Sequence, residues 1–183
     1  MIEYNKLEQE LSKLPQDSIV MIETSAEHAF EASMASIKLL SDKHDNGIIV
    51  SASRPYINLV SNYKKNDIDT NKIFILDCIS KKYDDAKDSD NVIFLENASS
   101  LTDISLSLGE RMQMIDGKKF ILIDSINTML IHNKPHIFAR FMHDILTKMR
   151  LHRIGGLLIS LEDKTNKDIR AEIAQLCDKV IKL

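Results

Sequence analysis

Two stretches of the chain hold residue types whose spacing could do phosphate or metal chemistry. The first is KKFILIDS, Lys118 to Ser125, in which four apolar residues deliver Asp124 with Ser125 next to it. A buried strand ending in a carboxylate is the Walker B pattern, where the acid faces metal-bound water. The same residues also suit a plainer task, with Asp124 capping a turn at Ile126 to Thr128. The second is SIVMIE followed by TSAEHAFEASMASIKLL. A strand, a turn and a helix in that order are where a phosphate-binding loop, G-x-x-x-x-G-K-[ST], would sit.

The residue types in that turn do not suit a polyphosphate. Aligned to the loop, Thr24 stands at the first Gly, Ala29 at the second, Phe30 at the Lys and Glu31 at the Ser/Thr. The glycines let the backbone fold tightly and present its N–H groups. The Lys neutralises phosphate charge, and the hydroxyl holds Mg²⁺. Here a Phe replaces the cation, and Glu27 and Glu31 add negative charge. One like-charge contact at 4 Å costs about 4 kcal/mol at an effective dielectric of about 20. A helix dipole offers about 1 kcal/mol in return, and the Glu side chains already use it. The residues therefore predict a plain strand–helix turn with acidic first-turn residues.

Other constellations carry less. His132 and His136 lie four apart, with His143 and His152 further on. Pro135 starts the helix there, so His132 falls before it, and no carboxylate completes a ligand set. These are expected to be solvated surface histidines, with no metal site. Ser, His and Asp all occur, but no nucleophile-elbow glycine pattern supports a hydrolase triad. Lys148, Arg150, His152 and Arg153 form a short basic patch that a helix C-terminus explains. Cys78 and Cys177 sit in apolar surroundings and read as buried structural thiols. The methionines at helix positions, Met112, Met114, Met129, Met142 and Met149, read as core or interface filler.

The elements that would position these residues follow a regular order. Seven short, β-branched runs are expected as strands: Ser18–Glu23, Gly47–Ser53, Lys72–Asp77, Asn91–Glu96, Lys118–Ser125, Gly155–Leu161 and Asp178–Leu183. Most are continuously apolar, as strands are when both faces are covered. Helical spacing predicts helices over Met1–Leu14, Glu27–Lys43, Pro55–Tyr63, Leu101–Met114, Pro135–Leu151 and Asn166–Leu176. The alternation argues for an α/β fold with a mostly parallel sheet covered by helices on both faces. KKYDDAKDSD, Lys81 to Asp90, reads as a solvated acidic loop.

Length and composition agree. The chain has 183 residues, 44% apolar and 28% charged, enough for one domain with a sizeable core. Residues 1–15 are expected to form a helical extension of that single domain, 1–183. The charge of −3 gives no basic footprint for nucleic acid. No apolar run is long enough to span a membrane, and the charged N-terminus lacks a signal core, so a cytoplasmic location is expected.

Placed in order, these pieces resemble the archaeal KaiC-like branch of the RecA superfamily of P-loop ATPases. The resemblance covers roughly Gln16 to Leu183. It is carried most specifically by LTDISLSLGE and by the run from FILIDSINTMLI through the helix to GGLLISLE. It is closest to divergent, inactivated members that keep the RecA-like core and have lost phosphate-binding residues. Active members carry a catalytic Glu at the end of the second strand; here Ser51 and Ser53 stand in that neighbourhood. Only Asp124 of the catalytic set carries over.

Three functions are therefore open to the sequence. The first is a non-catalytic domain with no cofactor. It acts by binding a protein partner or its own copies, in signal transduction or regulation. The N-terminal helix, with Leu7, Leu11 and Leu14 on one stripe, would either dock that partner or pack on its own core. The second is nucleotide binding or weak ATPase activity using Asp124 and Mg²⁺. The third is an accessory factor in DNA repair or recombination, which the missing basic stripe argues against.

Overall fold

The computed structural model describes residues 4–83, 86–162 and 165–183. Seven parallel strands form one sheet: β1 (Ile19–Thr24), β2 (Asn46–Ser51), β3 (Ile73–Asp77), β4 (Val92–Phe94), β5 (Lys119–Asp124), β6 (Gly155–Leu161) and β7 (Lys179–Lys182). Their order across the sheet is β4-β3-β2-β5-β6-β1-β7. The register aligns Ser51 with Asp124 and with Asp77, so three polar residues share one level at the carboxyl ends of adjacent strands. This is the α/β architecture expected from the alternation of elements.

Side-chain alternation divides the core in two. Ile19 and Met21 of β1, Ile48 and Val50 of β2, and Ile121 and Ile123 of β5 face one cluster. The helices on that side are α4 (Leu101–Met114), α5 (Ile126–Ile131), α6 (Pro135–Leu151) and α7 (Lys167–Gln175). Val20, Ile22, Ile49, Phe120 and Leu122 face the other cluster. It is covered by α1 (Tyr4–Ser12), α2 (Ala29–Ser41) and α3 (Tyr56–Lys65). A central strand covered on both faces has no solvent side, which is why these runs show no polar alternation. Among the described residues, no helix is long and apolar enough to cross a membrane.

Several boundaries differ from the sequence expectation. α2 begins at Ala29 because Ala26 to His28 form a turn. β2 ends at Ser51, and Ser53 lies in the bend beyond it. A short helix, α5, follows β5 where only a turn was expected. Its cap is Ser125, whose hydroxyl accepts the Thr128 N–H at 3.3 Å, and not Asp124. The N-terminal helix ends at Ser12, and its expected first residues, 1–3, lie outside the described residues. Residues 84 and 85 of the expected acidic loop also lie outside them, while Ser80–Lys82 form a 3₁₀ turn.

α1 packs on its own sheet. Leu7 and Leu11 are buried with Val20, Ile22 and Ile181, and Glu10 pairs with Lys179 of β7. Of the two roles open to this helix, the structure puts its apolar stripe on the core. Gly155, at the start of β6, lies against the segment that links α1 to β1. A Cβ there would lie 2.1 Å from the Gln16 carbonyl oxygen, so the backbones approach as only glycine permits.

Candidate functional site

In a parallel α/β sheet the loops beyond the carboxyl ends of the strands are where ligands are held. A cavity of about 300 Å³ opens there, lined by residues that include Phe30, Ser53, Arg54, Asp124, Ser125 and Thr128. Two others, about 330 and about 650 Å³, open at the amino ends around Phe120 and Lys118, far from this chemistry along the strands.

The turn after β1 sets one wall. Only Ser25 to His28 separate β1 from α2, and the His28 N–H donates to the Ser25 carbonyl at 3.1 Å, closing the turn on itself. Thr24 is fully buried, and its hydroxyl has no hydrogen-bond partner among the described residues. Ala29 opens α2, and Phe30 follows it, half-buried. Glu27 and Glu31 are exposed, and the Glu31 carboxylate lies 3.7 Å from His28 Nδ1.

The bend after β2 sets the opposite wall. The Ser51 hydroxyl donates to the Arg54 carbonyl at 2.7 Å and accepts the Arg54 N–H at 3.3 Å, which fixes the backbone of Ser53 and Arg54. Asp77 supports the same segment from β3. Its carboxylate accepts the Tyr56 N–H at 2.7 Å, the Ile79 N–H at 2.7 Å and the Ser80 N–H at 2.8 Å. The Arg54 guanidinium then lies over the Phe30 ring, 3.9 Å from its centre. Guanidinium on an aromatic face is a favourable cation–π contact that also holds a flexible side chain in place.

Asp124 forms the floor, at the end of β5. It is 6% exposed and hydrogen-bonds the Ser33 hydroxyl of α2; the Ser53 hydroxyl approaches Oδ1 at 3.5 Å. Burial pushes its carboxyl above the ordinary range, and Ser33, Arg54 and Ser53 pull against that shift. The Asp124–Ser125 peptide bond is cis. Thr128 completes the lining, its hydroxyl 3.0 Å from that of Ser125 and 3.2 Å from that of Ser53. A reciprocal pair ties α5 to β6: Asn127 Oδ1 accepts the Leu161 N–H at 2.7 Å and its Nδ2 donates to the Leu161 carbonyl at 3.3 Å.

The structure thus brings Ala29, Phe30, Asp124 and Ser125 around one cavity, while Thr24 is buried outside its lining and Glu31 faces solvent. Sequence reasoning missed Arg54, Ser33, Thr128 and Asp77. Asp77 had a signal, since NKIFILD also ends in an acid. Arg54 had none, because no spacing rule ties the bend after β2 to the first turn of α2.

The remaining candidates lie elsewhere. His132 caps the C-terminus of α5 and His136 sits in the first turn of α6, both exposed and on separate helices. Among the described residues no group of three or more His, Cys, Asp or Glu is placed to hold a metal. Lys148 pairs with Asp144 at 3.0 Å, and Arg150 pairs with Asp178 at 3.1 Å. Cys78 is buried and Cys177 is half-buried; burial pushes both thiols up to about 12.

Comparison with known proteins bears on the family and the fold. The profile of the family described as "ATPase: KaiC" matches residues 34–183. A KaiC-like protein from the hyperthermophilic archaeon Pyrococcus horikoshii OT3 is similar in structure, with a TM-score of 0.64 and 13% identity over 93% of this chain and 72% of its own. An uncharacterised P. horikoshii protein solved in complex with an unknown peptide gives a TM-score of 0.73 and 12% identity, over 100% of this chain and 84% of its own. Comparison with curated proteins gives no match.

Proposed function

The chain belongs to the KaiC family of ATPases, and from that premise we propose that it is a member that does not hydrolyse ATP and acts by binding another protein in a regulatory role. The observation that carries the reading is the wall where a phosphate loop would lie. Its turn is only Ser25 to His28, closed by its own hydrogen bond, and the next helix presents Phe30 beneath Arg54. On this reading the cavity does not hold magnesium triphosphate. No glycine stands in the turn to bring amides around the phosphates, and a ring replaces the lysine. Asp124 is the one carboxylate among the described lining residues, and it is buried. That a peptide is bound to a structural neighbour with this fold supports a role in protein recognition.

Thermal unfolding with and without ATP and Mg²⁺ tests this directly. A ligand at 100 times its dissociation constant adds about 2.7 kcal/mol of stability. No shift is expected with ATP, GTP or ADP, and no phosphate release above that of the buffer. A clear shift that disappears in Asp124→Asn, or turnover that co-purifies with the polypeptide, overturns the reading.

A further inference from the structure

We infer that the Arg54 site receives a single acidic side chain, Asp or Glu, from a partner protein. This rests on the partner-binding reading above and names the chemistry of the contact. Among the described residues no carboxylate lies within ion-pair distance of Arg54, and no side-chain hydrogen bond engages its guanidinium. Yet the side chain is not loose. Its backbone is clamped on both sides by Ser51, and its planar group is stacked on Phe30 at 3.9 Å. A guanidinium held rigid while its N–H fork is unused is pre-organised for an oxyanion, because the ordering cost is already met within the fold.

The surroundings select which oxyanion. The cavity beside Arg54, about 300 Å³, is lined by Ser53, Ser125 and Thr128, whose hydroxyls are bonded to one another at 3.0 and 3.2 Å, so the guanidinium is the donor it offers a carboxylate. A planar carboxylate matches the guanidinium fork with two parallel hydrogen bonds. A dianionic phosphate brings twice the charge toward Asp124, with only Arg54 to offset it among the described lining residues. The chain just beyond Arg54 fits a protein as the source. Ile57, three residues beyond Arg54 in the first turn of α3, is 75% exposed. An exposed apolar residue three positions from a pre-set charge is the make-up of a protein contact, with the Arg as its anchor.

The test uses the full chain, immobilised, and two peptide mixtures, acetyl-XXEXX-amide and acetyl-XXQXX-amide, where X is any residue but Asp, Glu or Cys. The glutamate mixture is expected to be retained about 10-fold more strongly than the glutamine mixture, as a charge-assisted pair requires. Arg54→Gln is expected to remove the preference, and Arg54→Lys to leave a reduced one, since a point charge lacks the fork. Both variants sit at an exposed position, and their fold is checked by circular dichroism. Equal retention of the two mixtures, or a preference that survives in Arg54→Gln, overturns the inference while the non-catalytic reading stands. Retention of inorganic phosphate at Arg54 without retention of the glutamate mixture overturns the carboxylate assignment. ATP turnover overturns the reading beneath it instead.

Discussion

The Asp77 carboxylate holds the Tyr56 backbone N–H at 2.7 Å, linking the end of β3 to the first turn of α3. The same carboxylate takes two more N–H groups, from Ile79 and Ser80, and it is fully buried. It therefore fixes the far side of the bend that carries Arg54. The acid at the end of this strand acts as a brace in the structure.

Asp77→Ala leaves three half-buried backbone donors without their carboxylate acceptor. Each costs about 1 kcal/mol or more, so a loss of about 3 kcal/mol or more is expected. Asp77→Asn keeps an acceptor for Ile79 and Ser80 but sets an amide against the Tyr56 N–H, so a smaller loss is expected. Urea unfolding checks both through the midpoint at unchanged slope. An Ala variant as stable as the parent shows that Asp77 braces nothing.

Two glycines should respond in opposite directions. Gly155→Ala places a methyl 2.1 Å from the Gln16 carbonyl oxygen, and backbone must move on one side or the other. A loss of about 3 kcal/mol or more is expected. Gly109 lies inside α4, and a methyl added there meets nothing within 4 Å. Gly109→Ala is therefore expected to raise stability by about 0.8–1 kcal/mol. Thermal or urea unfolding of the two variants decides it, and a stabilised Gly155→Ala contradicts the close approach of β6 to the α1–β1 link.

Asp124 makes stability depend on pH in a stated direction. Burial raises its carboxyl above 3.8, the opposing pull of Ser33, Arg54 and Ser53 notwithstanding. The folded state then holds the Asp124 proton more tightly than the unfolded chain does. Its contribution to stability is whole below pH 3.8 and is lost as pH rises through the raised folded value. Asp124→Asn, which carries no charge to desolvate, is expected to unfold at higher urea than the parent near pH 7, with the gap closing as pH falls toward about 4. A gap that stays constant across that interval rules out charge burial as its cause.

The seven strands and six of the helices could be read from the sequence because hydrophobic runs and helical spacing are local signals. IIVS, FILID and LLISL state their burial on both faces without help from distant residues. α5 was not readable: at six residues it is too short for a periodic pattern, and its Ser125 cap competes with Asp124 for the same role. The site was half readable. Phe30 and Asp124 stand at positions a motif defines, whereas Arg54 and Ser33 enter only because the sheet brings the ends of β2 and β5 beside the first turns of α2. A charge balance drawn from the turn alone therefore contained Glu27 and Glu31 and lacked Arg54, which lies over Phe30.

The place of β1 in the sheet has a consequence for how the protein is made. β1 is the first strand in the chain, and its neighbours are β6 and β7, the last two. On the ribosome, Ile19 to Thr24 thus waits without a lateral partner until Gly155 to Lys182 have emerged, while β2, β3 and β4 can pair as they are synthesised. Assembly closes last around the oldest segment, and a nascent chain halted before residue 155 carries an unmatched apolar strand that chaperones would have to shelter.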